Sequence, residues 1–393
     1  MDAHDPDRRR LLRWAAACLP WLAACAGPAE TALPVQENTP LITQPAAEAS
    51  PVIGEEVVQT EVPAIEEPVT ATENAAEPRP QPRPVIIDTD MAADDWMAIL
   101  YLLQRSDLAV QAITVAGTGE AHCEPGVKNA LGLVALAGYE PIPVACGRET
   151  PLQGNHAFPD SWRTWVDSLT GLELPDGGAG SEMNAVELIT SILQSSPMPV
   201  TLFASGPLTN LAELFQSDPS LTAKIEMLYI MGGAVHVPGN VKSSVPEIDN
   251  VTAEWNIYAD PTAAKIVFES GVPITLVGLD ATQNTPASRE FYAALSDRHI
   301  TPEAEWLYEL YTRNTYLYES NTMYFWDQLT AVVLSDESVA EIVPDTVCVT
   351  VEEGPGSGQT VSAEGCPAMR VAVSADRQKF EQSFLETLNT GDE

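Results

Sequence analysis

Residues 84–95 read Pro84-Val85-Ile86-Ile87-Asp88-Thr89-Asp90-Met91-Ala92-Ala93-Asp94-Asp95. The β-branched run 85–87 predicts a buried strand, and the apolar residues 96–103 after the carboxylates predict a buried helix. The stretch is therefore a strand, a tight loop and the start of a helix. Because ligands of open α/β sheets bind where strands end, we expect Asp88 and Asp90 in that crevice, with Asp94 and Asp95 at the helix entry.

The four carboxylates of this stretch fall within eight residues. Like charges a few ångströms apart raise one another's pKa unless a cation or hydrogen bonds compensate them. Carboxylate oxygens are hard ligands that suit Ca²⁺ or Mg²⁺. The stretch therefore predicts a divalent-cation site.

Two other interpretations of the same residues stay open. Asp94 and Asp95 would favour any helix N-terminus, and Asp88 would be an ordinary cap. The Asp88-Thr89-Asp90 pattern is also that of the nucleophile in haloacid-dehalogenase-like phosphatases. That pattern requires Thr or Val two places after the second Asp, where this chain has Ala92.

The N-terminal residues 1–25 resemble a bacterial lipoprotein signal peptide. An arginine cluster and a short apolar stretch precede the lipobox Leu22-Ala23-Ala24-Cys25. The apolar stretch is too short to span a bilayer. We expect Cys25 to become the lipidated first residue of an exported protein, anchored to a bacterial membrane on its extracytoplasmic side. A plain secretory signal cut elsewhere is the alternative, and Sec and twin-arginine export both stay open.

The rest of the chain divides by composition into a tether and one large domain. Residues 26–83 are rich in Pro, Glu, Thr and Ala, without helical or strand periodicity, and so predict a disordered tether. Residues 84–393 contain no internal repeat and no second linker. The formal net charge of −37 repels polyanions, which argues against nucleic-acid binding and favours small neutral substrates.

Four cysteines lie in the large domain, and each is free to pair outside the cytoplasm. Cys348 and Cys366 flank the glycine-rich run 354–358, which suits a bridged hairpin. The other two are Cys123 and Cys146. The spacing leaves the connectivity open.

Strand-like runs alternate with helical patterns through the domain. The strand-like runs are 109–115, 142–145, 200–204, 225–230 and 273–277, and the helical ones are 127–137, 208–215 and 261–269. This alternation predicts βαβ units in a single α/β domain, with helices flanking a mostly parallel central sheet. The strand ends should then converge on the Asp cluster.

Further polar motifs follow the later strands. They are Gly206-Pro207-Leu208-Thr209-Asn210, Met231-Gly232-Gly233, Gly239-Asn240, Glu254-Trp255-Asn256 and Asp260-Pro261. In an extended chain, the side chains of Glu254 and Asn256 would point to the same side and form a pair that binds hydroxyl groups.

In this order the motifs resemble those of the inosine-uridine-preferring nucleoside hydrolase family, from Val85 to the last helix. The resemblance implies the Rossmann-like nucleoside hydrolase fold. It also implies Ca²⁺-dependent hydrolysis of the N-glycosidic bond of ribonucleosides, which gives free base and ribose. Relatives are commonly dimers or tetramers, so a homodimer or homotetramer is expected.

The resemblance also implies roles for particular residues. Asp90, Asp95 and Asp327 would bind Ca²⁺ through carboxylates, and Thr209 would bind it through its backbone carbonyl. Asp90 would be the general base that takes a proton from water as the bond to the base stretches toward an oxocarbenium-like transition state. The residues implied to contact the ribose are Asp94, Met231, Asn240, Glu254 and Asn256.

Two tryptophans are expected to contact the nucleobase. Trp326 stands where many relatives have a His that helps to protonate the leaving base, whereas purine-preferring members carry Trp there and a second Trp on an early loop, similar to Trp162. Glu120 falls where that group has an acidic residue that contacts the base. Stacking on indole is worth roughly 1–3 kcal/mol. A purine ribonucleoside is therefore the expected substrate, with Trp326 assisting departure of the base.

Alternatives to these assignments stay open. Trp162 and Trp326 could be core or lid aromatics. His122 and His156 could supply a substitute acid or simply be solvated. A different function is a non-catalytic lipoprotein that captures nucleoside or ribose for a transporter. The presence of both Asp90 and Asp327 favours the enzyme, because a ribose binder has little need of a base beside water.

Overall fold

The computed structural model describes residues 81–390. The predicted signal peptide, with Cys25, and nearly all of the predicted tether lie outside the described residues. The first strand already begins at Arg83, one residue before the predicted start of the domain. None of the helices within residues 81–390 combines the length and apolar character needed to cross a bilayer.

Nine strands form one sheet in the described part of the chain, in the order β3-β2-β1-β4-β5-β6-β9-β7-β8. The strands are β1 (Arg83–Thr89), β2 (Leu108–Val115), β3 (Val144–Cys146), β4 (Val200–Ala204), β5 (Ile225–Met231), β6 (Ile274–Val277), β7 (Ala340–Val349), β8 (Thr360–Ser362) and β9 (Ala368–Ala375).

The helices follow the strands as the alternating pattern predicts, so the α/β class with a mostly parallel sheet is confirmed. They are α1 (Ala93–Leu103), α2 (Cys123–Leu136), α3 (Asp160–Asp167), α4 (Ala185–Ser195), α5 (Thr209–Ser217), α6 (Val241–Ser244), α7 (Trp255–Ala259), α8 (Pro261–Phe268), α9 (Leu279–Thr282), α10 (Arg289–Asp297), α11 (Pro302–Arg313), α12 (Tyr316–Glu319), α13 (Trp326–Ser335) and α14 (Arg377–Leu388).

Strand β1 lies at the centre of the parallel part of the sheet and is buried on both faces. Val85 and Ile87 belong to the apolar core that also contains residues of α1, α13 and α14. Ile86 points into the opposite core, which is formed with α5 and α8. Continuous burial of this kind explains why the run 85–87 is β-branched without polar alternation.

The order of the strands reverses at β1. Strands β2 and β3 extend the sheet on one side, and the chain then returns to place β4 on the other side of β1, with all of these pairs parallel. Asp88 is therefore flanked by Thr114 of β2 and Ala204 of β4. This reversal opens a crevice at the carboxyl ends of β1 and β4, as the rule for open sheets predicts.

The four cysteines of the domain form two disulfides. Cys123 at the start of α2 pairs with Cys146 at the end of β3, and Cys348 of β7 pairs with Cys366. Strand β7 is antiparallel to β8 and β9. The second disulfide therefore closes a hairpin, as the glycine-rich run between its two cysteines suggested. The first disulfide lies beside the loop that follows β2.

Candidate active site

The loop between β1 and α1 carries Asp90 and is held by its neighbours. Met91 adopts a left-handed conformation with φ of 60°, which costs a residue with a side chain roughly 1–2 kcal/mol. The Met91 amide donates to Thr89 Oγ1 at 3.0 Å, and Trp96 Nε1 donates to the Met91 carbonyl at 2.8 Å. Strain that is compensated in this way often marks a functional loop.

Asp95 is fully buried and its carboxylate is oriented by three donors. The Thr89 and Ser205 hydroxyls donate to Oδ1, and the Ala92 amide donates to Oδ2 at 2.8 Å. The last bond belongs to a capping arrangement of α1. The simpler interpretation of Asp95 as a helix-terminal residue is therefore correct in part, although a capping role does not explain its bond to Ser205 on the far side of the crevice.

Asp88 is an anchor of the sheet and not a helix cap. Its Oδ1 accepts hydrogen bonds from Thr114 Oγ1 at 2.6 Å and from Asn210 Nδ2 at 2.8 Å. These bonds tie β1 to β2 and to the start of α5. Asp88 therefore supports the crevice through these bonds, while the charge of Asp95 still contributes to raising its pKa.

Three carboxylates meet at the mouth of the crevice. One oxygen each of Asp94, Asp95 and Asp327 lies within 4.8 Å of the other two. Asp327 comes from the first turn of α13, far away in the sequence. Asp90 adjoins this group, since Asp95 is among the charges that raise the pKa of Asp90. The structure thus brings the predicted ligands Asp90, Asp95 and Asp327 together and adds Asp94, which was expected to bind ribose.

The carboxylates of this cluster hold protons unusually strongly. Burial, followed by repulsion from Asp95, raises the pKa of Asp94 to about 7, and burial raises the pKa of Asp88 to about 7. Burial, with repulsion from Asp94 and Asp95, raises the pKa of Glu120 to about 8. Burial and neighbouring carboxylates also raise the pKa of Asp90 and of Asp327 well above the usual range. A cation would relieve this repulsion.

These shifts predict a pH-dependent stability of the metal-free protein. Between pH 3.8 and about 7, folded Asp88 and Asp94 keep protons that the unfolded chain releases, so the free energy of unfolding falls as pH rises through that window. Each pKa unit is worth about 1.4 kcal/mol, so a loss of several kcal/mol is expected. Thermal melts from pH 5 to 8 with EGTA or with CaCl₂ measure it.

Calcium should reduce the share of that loss that comes from Asp94, because a cation favours the deprotonated carboxylates of the cluster, whereas the share from Asp88, which is not an expected ligand, should remain. The expectation fails if metal-free stability rises from pH 5 to 8. It also fails if both series show the same dependence on pH.

Glycines let the backbone approach Asp90 from two sides. A Cβ added to Gly119 would lie 2.1 Å from Asp90 Cβ, and one added to Gly206 would lie 2.7 Å from the same atom. The amide of Glu120 donates to Asp90 Oδ2 at 3.1 Å. The loops after β2 and β4 thus hold the Asp90 side chain between them.

Thr209 is fully buried at the first residue of α5. Its hydroxyl donates to Asp260 Oδ2 at 2.9 Å and lies 2.9 Å from the Thr118 hydroxyl. The hydroxyl is thus engaged within the protein, and the expected contact of Thr209 with a cation is through its backbone carbonyl.

Glu254 and Asn256 are arranged differently from the expected extended pair. Glu254 caps α7, because its carboxylate accepts hydrogen bonds from the amides of Asn256 at 2.9 Å and Gly233 at 3.0 Å. The chain is therefore helical from Trp255 onward, and the expectation of an extended segment was wrong. The cap still directs both side chains toward the strand ends, because Asn256 Nδ2 donates to the carbonyls of Ser205 and Met231.

Asn240 lies beside the same cap. Its Oδ1 accepts a hydrogen bond from the Trp255 amide at 3.1 Å. Met231 is buried at the end of β5. The residues expected to contact ribose thus converge from β5, α6 and α7.

The two tryptophans belong to different aromatic groups. Trp162 packs against Phe158 and against Trp255, whose ring centroid lies 5.3 Å away. Trp326 packs beside Met231 and lies 5.9 Å from Tyr324. Both indoles are only partly buried. Trp326 adjoins Asp327 in the sequence and Met231 in space.

The two loop histidines are already engaged. His156 stacks on Tyr258 with ring centroids 4.0 Å apart, and its Nδ1 lies 2.7 Å from the Tyr258 carbonyl oxygen. His122 Nδ1 lies 2.7 Å from Asp167 Oδ2. Both histidines thus have partners within residues 81–390.

Two tyrosines near the cluster were missed by the sequence analysis. Burial raises the pKa of Tyr311 and of Tyr316, and the charge of Asp94 raises both further. Glu120 also acts on Tyr316. No motif marks these residues, which lie in α11 and α12, the two helices before the Trp326-Asp327 pair.

A parallel sheet with clustered carboxylates at its topological switch point defines an α/β enzyme site suited to metal-assisted chemistry. A sequence model described as inosine-uridine preferring nucleoside hydrolase matches residues 85–382. The chain belongs to this family.

Relatives and solved structures agree with that membership. The pyrimidine-specific ribonucleoside hydrolase RihA of Salmonella agona (strain SL483) is 33% identical over 322 residues, which are 78% of this chain and 98% of that protein. The plant nucleoside hydrolase PpNRh1 superposes with a TM-score of 0.71 at 30% identity, over 79% of this chain and 100% of that one. The purine-preferring ribonucleoside hydrolase from Gardnerella vaginalis superposes with a TM-score of 0.68 at 26% identity, over 78% of this chain and 98% of that one. The resemblance inferred from the motifs is thus confirmed.

Proposed function

We propose that the protein hydrolyses the N-glycosidic bond of ribonucleosides, with Ca²⁺ as cofactor, to give free base and ribose. The observation that carries this proposal is the meeting of Asp94, Asp95 and Asp327 beside Asp90. Family membership supports the reaction class. Beyond the reaction class, the proposal specifies the cation and the preferred nucleobase.

The donor set fits a hard divalent cation. Asp90, Asp95 and Asp327 would supply carboxylate oxygens, and Thr209 would supply its carbonyl. Ca²⁺ accepts six to eight oxygen ligands in flexible geometry, which leaves room for the sugar hydroxyls. When bound, the cation would supply Lewis acidity that makes water easier to deprotonate.

The protein's own residues would carry out the remaining steps. Asp90 would take the proton of the attacking water, and the hydrogen bond from the Glu120 amide to its carboxylate supports this role. Neighbouring carboxylates stabilise the positive charge that develops on the sugar. Asp94, Asn240, Glu254 and Asn256 would hold the ribose through its hydroxyls, with Met231 beside the sugar.

The direct test is a nucleoside panel. The protein is incubated with inosine, adenosine, guanosine, uridine or cytidine, with Ca²⁺ or with EGTA, and ribose is measured as reducing sugar. We expect release with Ca²⁺ and its loss with EGTA. Release that does not depend on the chelator would refute the cofactor.

The same panel separates the enzyme from a capture protein. A nucleoside-capturing lipoprotein that feeds a transporter would bind nucleosides, measured by calorimetry, without releasing ribose from any of them. The retained carboxylate at Asp90, oriented by a backbone amide, supports the enzyme.

For the base, we propose a purine preference. Trp326, partly exposed beside Met231, would supply an indole surface near the ribose. Glu120 lies on the loop after β2, and Trp162 lies in α3, which follows β3. The relatives' names differ on this point, because the RihA proteins are named pyrimidine-specific and the Gardnerella vaginalis enzyme purine-preferring. A pyrimidine substrate is therefore the second candidate.

The change Trp326→Ala tests this preference. Stacking on indole is worth roughly 1–3 kcal/mol, so we expect kcat/KM for inosine to fall about tenfold or more, while the value for uridine changes far less. Trp165→Ala, which alters an indole packed on Tyr316 and Trp96, is the matched control. A wild-type protein that prefers uridine would contradict the purine proposal.

We also propose that the enzyme is exported and anchored by an acyl chain on Cys25, where it would release base and ribose for uptake. The lipobox supports this, as do the two disulfides, which persist in oxidising compartments. Expression of the full chain with labelled palmitate tests it, since Cys25→Ser should abolish labelling. Labelling that survives this change would refute the anchor. Sedimentation of the same material would measure the proposed dimer or tetramer.

A further inference from the structure

Arg163 joins helix α3 to the loop that follows β2. The side chain is buried, with 9% of its surface exposed. Its Nη2 donates to the carbonyl of Gly117 at 3.0 Å and to the carbonyl of Ala121 at 3.1 Å. These carbonyls are the two ends of residues 117–121, which we call the Asp90-contact loop. One guanidinium nitrogen therefore closes the loop.

The Asp90-contact loop determines the surroundings of Asp90. The Glu120 amide donates to Asp90 Oδ2 at 3.1 Å, and the Ala121 amide donates to the Asp90 carbonyl at 2.9 Å. Gly119 lies so close to Asp90 that no side chain fits between them. A shift of the loop would therefore change the direction of the Asp90 carboxylate.

The loop needs an external anchor. It contains two glycines, which lose more conformational freedom on ordering than other residues. Besides its bonds to Asp90, the loop is held by the Gly119 amide, which donates to the Ala116 carbonyl at 2.9 Å, and by the Thr118 hydroxyl, which lies 2.9 Å from the Thr209 hydroxyl. Arg163 supplies two further bonds from outside the loop.

The burial of Arg163 leaves one of its hydrogen-bond donors without a partner in the described part of the chain, which is unfavourable for stability. Its Nε is buried and finds no hydrogen-bond partner within residues 81–390. An unsatisfied buried donor is unfavourable, so an apolar side chain would suit a purely structural role better. The arginine adds the bonds to the two carbonyls and a positive charge near the Glu120 carboxylate of the same loop.

We propose that Arg163 is a positioning residue for the hydrolysis: it holds the Asp90-contact loop against Asp90 and so fixes the direction of the Asp90 carboxylate. The inference rests on the proposed function, because it takes Asp90 as the base. Arg163 also follows Trp162 directly, so the same bonds tie the helix of the proposed base-stacking indole to the loop that orients the base catalyst.

The first test is hydrogen exchange in the full chain, which requires no activity. In Arg163→Met we expect the amides of Glu120 and Ala121 to exchange at least tenfold faster than in the wild-type protein. Arg83→Met is the matched control, since Arg83, at the amino end of β1 and so at the opposite end of that strand from Asp88, donates from Nη2 to the Leu334 carbonyl at 2.7 Å. Unchanged exchange in Arg163→Met, or equal acceleration in both variants, would overturn the inference.

The second test is a double-mutant cycle on ribose release. Misplacement of a catalytic group by about 1 Å can cost on the order of 100-fold in rate, so we expect Arg163→Met to lower kcat about 10- to 100-fold with KM within about threefold. If Arg163 acts through Asp90, its removal in an Asp90→Asn background should cost less than about threefold. Additive losses would overturn the inference.

If Arg163→Met does not fold, both measurements are made on Arg163→Lys, whose ammonium is one bond closer to the backbone than the Nη atoms of the arginine. A wild-type protein that releases no ribose would refute the proposed function. In that case hydrogen exchange alone would test the positioning role of Arg163. Faster exchange of Glu120 and Ala121 in Arg163→Met would support the role, and unchanged exchange would overturn it.

Discussion

Replacement of Asp90 by Asn is expected to lower kcat for ribose release by about 10³-fold at saturating Ca²⁺, within the range of general-base catalysis. Asn keeps the shape of the side chain and still accepts the Glu120 amide through Oδ1, but it cannot take a proton. Nucleoside binding should change far less than turnover. Initial rates and calorimetric binding of inosine measure the two effects separately.

Asp88→Asn is the matched control for this change. Asp88 lies two residues earlier on the same strand, and an Asn there keeps an acceptor for Thr114 and Asn210. We expect its activity to stay near that of the wild-type protein. If Asp90→Asn kept full activity, or if both variants lost it equally, the assignment of Asp90 as the base would be wrong.

Replacement of Asp327 by Asn is expected to weaken Ca²⁺ binding by at least about 100-fold, because even residues behind the metal ligands typically cost 10–100-fold in affinity. Asp327 is the carboxylate that α13 brings to Asp94 and Asp95. Calcium titration of activity and calorimetry measure the effect. Excess Ca²⁺ should restore much of the turnover of Asp327→Asn.

The two variants differ in this rescue, since no calcium concentration should restore the turnover of Asp90→Asn. Glu337→Gln is a control, because Glu337 is an acidic residue near the other end of α13 that pairs with Arg370. Unchanged calcium affinity in Asp327→Asn would contradict its role as a ligand.

The local part of this site was predictable from the sequence. The strand, loop and helix around Asp88 to Asp95 follow from a β-branched run, a polar interruption and an apolar helical pattern, all of which are properties of neighbouring residues. The rule that ligands bind at strand ends then places Asp90 in the crevice. The sheet order confirms that β1 is the strand at the switch point.

The contacts between residues far apart in the sequence could be inferred only from the family resemblance or seen in the structure. Asp327 joins the cluster from α13, and no spacing in the sequence shows that contact. The extended conformation expected for Glu254 and Asn256 was wrong because the Glu254 carboxylate caps α7, and this cap depends on the Gly233 amide from another loop. The contacts of Glu120 and Gly119 with Asp90, and the bonds of Arg163 to their loop, are likewise visible only in three dimensions.

The central claim is that one divalent cation is held between β1 and α13 and positions the ribose. A crystal structure of the protein grown with CaCl₂ and ribose tests it most directly. We predict one calcium ion with carboxylate oxygens of Asp90, Asp95 and Asp327 at about 2.3–2.6 Å and with sugar hydroxyls completing its shell. A calcium-soaked crystal without an ion there, or with Asp327 turned away from it, would contradict the account.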